Sequence, residues 1–178
     1  MNRQATPPPG LRPATRDDIP ALAALGRDSF VAKFGALYRP QDLAAFLDEA
    51  FSLGAIAAEL ANPDRLYCLA NAAGAMAGYC KLGLTCGFPD HARGGKVIEL
   101  KQLYTRPAMT GMGIGAALMD WALAEARARG HDEMQLSVWS GNGGAQRFYA
   151  RYGFAKVADV TFRVGEQLDH EFLFSRML

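Results

Sequence analysis

The stretch Glu99-Leu-Lys-Gln-Leu-Tyr-Thr-Arg-Pro-Ala-Met-Thr-Gly-Met-Gly-Ile-Gly-Ala116 decides how the rest of the chain is read. It begins as an apolar-rich strand, turns at Arg106-Pro107 and becomes glycine-rich over Gly111-Met112-Gly113-Ile114-Gly115. A helical pattern, Ile114 to Arg129, opens directly from the glycines. A glycine loop that feeds a helix N-terminus is a natural anion site. Free backbone N–H groups point outward there and the helix dipole adds partial positive charge. Glycine also lets the backbone approach a phosphate with no Cβ in the way. A phosphate or pyrophosphate is therefore expected near residues 110–116.

Several phosphate loops compete for this pattern. A P-loop needs Gly-Lys-Ser/Thr after its glycines, and none follows. Gly111-x-Gly113-x-x-Ala116 formally fits a dinucleotide fingerprint. Yet about five residues separate the end of the strand from Gly111, where that fingerprint follows its strand at once. The next strand, near Met134 to Trp139, ends in Ser140-Gly141-Asn142, with no acidic residue to take a ribose hydroxyl. A glycine-rich helix start without a ligand is the plain alternative.

Downstream of that second strand lies Asn142-Gly-Gly-Ala-Gln-Arg-Phe-Tyr149-Ala-Arg-Tyr-Gly153-Phe154. With strand, glycine loop, helix and strand ahead of it, this motif resembles the GNAT superfamily of N-acetyltransferases, over roughly residues 66 to 178. The resemblance implies an α/β fold: a mixed, mostly antiparallel central sheet flanked by helices, with a splay between the two central strands. It implies acetyl-CoA as co-substrate, its pyrophosphate held by Thr110, Gly111, Met112, Gly113, Ile114, Gly115 and Ala116. Thr110 stands where the family usually carries Gln or Arg, and Arg106 is a cation close by in sequence. Leu103, Tyr104 and Thr105 fall where the family's pantetheine arm pairs with the central strand. The Leu103 N–H is then the donor to the thioester oxygen, placed to stabilise charge that builds there. Asn142 sits at a pantetheine-contact position, although an Asn also makes an ordinary turn or cap.

Acyl transfer to an amine needs two proton movements. An alkylammonium with a pKa of about 10 is no nucleophile until it loses a proton. Glu99 matches the place from which some family members use a glutamate as general base. Four residues separate it from Leu103, and period two predicts that both face one side of the strand. An ion pair with Lys96 or Lys101, or simple attraction of a cationic substrate, competes with that role. The departing thiolate benefits from a proton, and Tyr149 matches the family's tyrosine that reaches the sulfur. A neutral phenol can donate at working pH. A buried aromatic between Phe148 and Tyr152 is the competing reading.

The C-terminal Phe162-Arg-Val-Gly165-Glu-Gln167, followed by Asp169 and Phe172, is similar to bacterial PaiA-type spermidine/spermine acetyltransferases. So is Tyr38-x-x-x-Asp42-Leu43 with Phe46-Leu47. This points to a small primary amine, polyamines among them, as acceptor. A polyamine pocket needs several carboxylates, and Glu99, Asp42, Glu49 and Asp90 are the candidates. Acetylation of a protein or peptide amine is the enzyme alternative. A non-catalytic acyl-CoA-binding regulatory module is the alternative from another class.

Composition sets the outer limits. At 178 residues the chain is long enough for one sizeable core, and residues 11 to 178 are expected to form a single domain after a disordered tail over residues 1 to 10. Net charge is +1, so no bulk electrostatic case exists for nucleic acid or for a membrane surface. No apolar run approaches membrane-spanning length, and the N-terminus shows no signal-peptide apolar core. The three cysteines lack metal-ligand spacing. Cys68 and Cys80 lie in apolar runs and read as buried free thiols, which suits a reducing cytoplasm. No metal is expected. The resemblance allows a homodimer, though no residue pattern demonstrates one.

The remaining chain reads as elements that carry the site. Leu11 to Ala14 predicts a first strand, and Thr15-Arg-Asp-Asp18 a helix cap. The helix after it buries Ile19, Leu22, Leu25 and Phe30. Pro40 starts a second helix, with Leu43, Phe46, Leu47, Ala50 and Phe51 on one face. Ser52 to Ala61 is a third. Leu66 to Ala70 and Met76 to Leu84 form a hairpin around Asn71-Ala-Ala-Gly74. Thr85 to Lys96 is an exposed loop, whose His91 reads as solvated rather than catalytic. Val97 to Thr105 is the central strand. Ala145 to Tyr152 is a short helix, and Phe154 to Asp159 pairs with Glu171 to Met177 through the connection at Val164 to Gln167. The order is that of a mixed α/β sheet.

Overall fold

The computed structural model describes residues 9–178. The tail expected over residues 1 to 10 lies outside the described residues through position 8, and Gly10 already opens the first strand. Strand β1 (Gly10–Pro13) leads through the Thr15–Asp18 cap into α1 (Ile19–Phe34). The Asp18 carboxylate accepts from the Thr15 N–H at 2.7 Å, and Arg12 closes on it at 2.6 Å. Helix α2 (Pro40–Phe51) starts on its proline, and α3 (Leu53–Ala61) on Ser52, whose hydroxyl accepts from the Ala55 N–H at 3.2 Å. The hairpin β2 (Arg65–Ala72) and β3 (Ala75–Gly83) precedes β4 (Val97–Thr105). Then come α4 (Ile114–Ala128), β5 (Glu133–Trp139), α5 (Gly143–Arg151), β6 (Ala155–Val164) and β7 (Gln167–Met177).

Seven strands form one sheet in the order β1-β2-β3-β4-β5-β7-β6. Every neighbouring pair is antiparallel except β4 and β5. That parallel pair is short: Val97 faces Glu133, Ile98 faces Met134 and Glu99 faces Gln135. Beyond it the two strands part, and Leu100 to Thr105 no longer pair with Leu136 to Trp139. This is the splay expected from the resemblance.

The sheet separates two cores. On one face α4 and α5 cover Cys68, Cys80, Leu82, Ile98, Leu100, Met134 and Leu136, with Ile114, Leu118 and Ala122 supplied by α4. On the other, α1 to α3 bring Leu22, Phe30, Phe51 and Ile56 onto Tyr67, Leu69 and Tyr79. Cys68 and Cys80 are buried free thiols, as their apolar surroundings predict. No helix among the described residues is long and apolar enough to cross a membrane.

One expectation about the central strand is corrected. Lys81 faces Gln102 while Leu82 faces Leu100, so Lys101 is an extra residue, a β-bulge in β4. The bulge breaks the period-two alternation between Glu99 and Leu103 and turns them to opposite faces. Leu100 and Leu103 both pack against the α4 side. Glu99 faces the α1–α3 side instead, with Tyr104.

The β6–β7 hairpin is also longer than its expected core, with arms of 10 and 11 residues. Thr161, Phe162 and Arg163 are exposed, so no burial pattern marks that extension in the sequence. Helix α2 holds its tip. Asp42 accepts the Glu166 N–H at 3.0 Å and pairs with Arg39 at 2.6 Å. Gly165 makes the turn at φ +58°, packed so closely on Asp42 that no Cβ fits.

Candidate active site

The site begins at the glycine loop. Gly111 (φ +83°) and Gly113 (φ +80°) hold backbone angles that L side chains rarely adopt. A Cβ on either would meet nothing within 4 Å, so the surface above the loop is open to a ligand. Gly113 is the N-cap of α4, and no side chain caps that helix. The first bond of its ladder runs from the Ala117 N–H to the Gly113 carbonyl at 3.0 Å. The N–H groups of Ile114, Gly115 and Ala116 precede it and have no helical acceptor. Thr110 and Met112 flank them, both exposed. An uncapped helix end beside a cradle without side chains fits a pyrophosphate. Arg106 is anchored away from this cradle: its Nε donates to the Met76 carbonyl at 2.5 Å.

Beside the loop lies the splay. The Arg106 N–H donates to Ala77 of β3 at 2.8 Å. By strand alternation the N–H groups of Leu103 and Thr105 point away from β3, toward the gap. Their sequence-expected role as partners for an extended ligand therefore has the geometry it needs. The Tyr104 side chain packs at 5.7 Å on Tyr79 and 6.3 Å on Phe51, on the α1–α3 face.

Helix α1 straddles the open end of the gap. The Ser29 hydroxyl donates to the Thr105 carbonyl at 3.4 Å, reaching β4. One turn on, Phe34 meets Trp139 of β5 edge to face at 5.9 Å. Tyr38 stacks on Phe30 at 5.9 Å, and its hydroxyl donates to Asp169 of β7. The rings of Phe34, Tyr38, Tyr104 and Trp139 thus gather on the α1–α3 side of the parted strands.

Tyr149 approaches from the opposite side, packed with Phe148 at 5.4 Å and Phe154 at 6.1 Å. Burial raises its phenol, and the charge of Glu171 raises it further. The hydroxyl therefore stays protonated through the neutral range. Tyr104 is raised by burial, then by Tyr149 and Glu171. Tyr38 is raised by burial and by its bond to Asp169, with Glu171 adding to both. These phenols, from three separate elements, all feel one carboxylate. That carboxylate, on β7, carries no local sequence signal that marks it.

The other expected residues are placed as follows. Glu99 is buried, and its carboxylate accepts from Lys101 at 3.0 Å and from the Gly87 N–H at 3.1 Å. The competing ion pair is therefore present. Asn142 caps α5, its side-chain oxygen accepting from the Ala145 N–H at 3.2 Å. Gln146 fixes the same turn through the Ser140 carbonyl at 2.9 Å. Asp42 serves the hairpin, while Glu49, Asp90 and His91 are exposed.

Comparison with known proteins agrees with the fold. Residues 31–154 match the model of the Acetyltransferase (GNAT) family. An uncharacterized N-acetyltransferase of Mycobacterium bovis is 33% identical over 162 residues, covering 90% of this chain and 98% of that protein. An aminoalkylphosphonate N-acetyltransferase of Salmonella typhimurium is 32% identical over 144 residues, covering 81% and 83%. The crystal structure of PaiA N-acetyltransferase from Thermoplasma acidophilum, in complex with coenzyme A, superposes with a TM-score of 0.78 at 21% identity, covering 95% of this chain and 98% of that one. A parted parallel pair beside an uncapped, glycine-led helix suits a transferase that uses an acyl-CoA. The chain belongs to the Acetyltransferase (GNAT) family, and is an N-acetyltransferase that takes its acetyl group from acetyl-CoA.

Proposed function

We propose that the acceptor is the primary amine of a small molecule, with polyamines among the candidates, and that it attacks the thioester directly. The observation that carries this reading is the clamp between α2 and the β6–β7 hairpin. Asp42 ties the hairpin tip to α2 through the Glu166 N–H, and Phe46 of α2 meets Phe162 of β6 at 5.7 Å. α1, α2 and the hairpin thereby border one face of the sheet together, which favours a small acceptor over a polypeptide laid in an open groove. The Salmonella relative, named for an aminoalkylphosphonate, is in keeping with it.

In this reading residues 110–116 hold the pyrophosphate and the backbone of Leu103 to Thr105 holds the pantetheine arm. The Leu103 N–H stabilises charge on the thioester oxygen. Tyr149 protonates the departing sulfur, and its raised phenol suits a group that must be neutral before the step. Free thiol release from acetyl-CoA tests the reading across spermidine, spermine, aminoalkylphosphonates, amino acids, aminoglycosides and short peptides. Turnover confined to small amines supports it. Turnover only with peptides replaces it with a protein acetyltransferase. Tight acetyl-CoA binding without thiol release from any acceptor favours a regulatory binding module.

A further inference from the structure

Three carboxylates on the α1–α3 side of the sheet are each met by two protein groups, and a fourth is less fully engaged among the described residues. Glu99 is met by Lys101 and the Gly87 N–H. Asp169 is met by the Tyr38 hydroxyl and by Gln167 at 2.7 Å. Asp42 is met by Arg39 and the Glu166 N–H. Glu171 is half-buried and accepts from the Ser137 hydroxyl alone, and among the described residues no lysine, arginine or histidine pairs with it. Its cross-strand neighbours are Trp139 of β5 and Val160 of β6. Trp139 is the last residue of β5, at the open end of the splay, against Phe34.

We propose that Glu171, rather than Glu99, receives the acceptor's ammonium group and takes its proton, with the rings of Phe34, Tyr38, Tyr104 and Trp139 on the same side of the sheet. The proposal deepens the small-amine reading and rests on it. A half-buried carboxylate without a protein cation is a charge in want of a partner. Those rings offer aromatic faces and edges to a cation's apolar body, and Glu171 offers one anion to its head. Glu99, on the same face, already has its cation.

The chemistry balances as follows. The ammonium gives one proton to the Glu171 carboxylate and becomes a free amine. Its lone pair forms the new C–N bond at the thioester carbon, and the C–S bond breaks with its electrons leaving on sulfur. Tyr149 gives its proton to that sulfur. The second nitrogen proton, acidic once the C–N bond has formed, restores the Tyr149 phenol. Glu171 returns its proton to solvent. One proton is released per turnover, as conversion of an ammonium to an amide and a thiol requires.

The groups facing Glu171 define what a pH profile reads. Asp169 lies on its own strand and adds negative charge, while Tyr38, Tyr104 and Tyr149 face it from the α1–α2 connection, β4 and α5. The neighbours on β5 and β6, Ser137, Trp139 and Val160, do not ionise in the neutral range. Burial raises the Glu171 carboxyl above its ordinary value, Ser137 opposes this, and Asp169 adds to it. The acid limb of kcat/KM belongs to this carboxyl.

The test pairs Glu171→Gln with Glu99→Gln in the full-length protein. Calorimetry with CoA present uses hexylammonium as probe and hexanol as its neutral counterpart. Hexylammonium is expected to bind the wild type and E99Q, and to bind E171Q about tenfold more weakly or worse, with hexanol indifferent to all three. In turnover, E171Q is expected to lose about 100-fold in kcat/KM and its acid limb, while E99Q keeps the limb. A melting curve checks that E171Q is folded. The proposal is overturned if wild type does not distinguish hexylammonium from hexanol, if E171Q binds it like wild type, or if E99Q rather than E171Q abolishes the limb. Should only peptides be turned over, the small-amine reading falls alone. The same pair of variants, assayed on the peptide, then decides the role of Glu171.

Discussion

Glu99 and Leu103 lie four residues apart on one strand and project from opposite faces of the sheet, because Lys101 is bulged out between them. Leu103 anchors β4 on the α4 side, while its N–H remains aimed into the splay. The α1–α3 side is left to Glu99, Gln102 and Tyr104. The bulge thus lets the strand turn Leu103 to one core and a polar run to the other face.

Tyr149→Phe removes the hydroxyl proposed as proton donor while keeping the ring between Phe148 and Phe154. Steady-state thiol release is expected to show kcat lowered by about 10- to 100-fold. The KM for acetyl-CoA should hardly move, since the phenol acts after the donor has bound. An unchanged kcat would return Tyr149 to a packing role.

Gly113→Ala tests the phosphate cradle. The left-handed backbone alone costs about 1–2 kcal/mol with a Cβ present, and the new methyl stands where the ligand approaches. Gly130, at φ +73° near the far end of α4 and equally free of neighbours, supplies the control. Both alanine variants should melt a few degrees lower. Only G113A should raise the KM for acetyl-CoA, by about tenfold.

Glu171→Gln carries a stability signature opposite to an ordinary lost contact. Burial raises the folded-state carboxyl above its unfolded value, so the folded protein disfavours the charged form. The resulting penalty is absent below the unfolded pKa of about 4.3. It grows as pH rises from there through the folded value and is complete above it. A glutamine carries no such penalty. E171Q should therefore melt higher than wild type at pH 7, and the advantage should shrink to nothing as pH falls below 4. Melting curves across that range check the sign.

Asp42→Asn loosens the clamp between α2 and the hairpin, because Arg39 loses its anionic partner. The acceptor KM is expected to rise by about threefold or more, while the KM for acetyl-CoA, whose proposed contacts do not include the hairpin, stays level. Equal change in both would mean that the hairpin supports the fold generally.

Much of this architecture was legible in the sequence because its signals are local. The glycines of the loop, the cap at Thr15, the prolines and the Asn142 motif each act within a few residues of their own position. The bulge left a faint trace as well. Ile98, Leu100 and Leu103 are spaced two and then three apart, and all pack on one core. Glu171 and Asp42 were not legible in this way. Trp139 and Tyr38, which frame Glu171, and Glu166, which claims Asp42, lie far away in sequence and come together only when the sheet closes. A carboxylate's role depends on whether a cation or N–H reaches it first, and that is a tertiary property.

The short seam between β4 and β5 has a mechanical meaning. Only three register pairs join β1–β4 to β5–β7 across the sheet. An extended pantetheine lying along the parted strands would act as a stitch, lending hydrogen bonds to a seam that the polypeptide leaves open. Donor binding would then tie two half-sheets together, and the folded state would gain RT ln(1 + [L]/Kd). Hydrogen exchange at Leu100 to Thr105 and Leu136 to Trp139 should slow most sharply when acetyl-CoA is added.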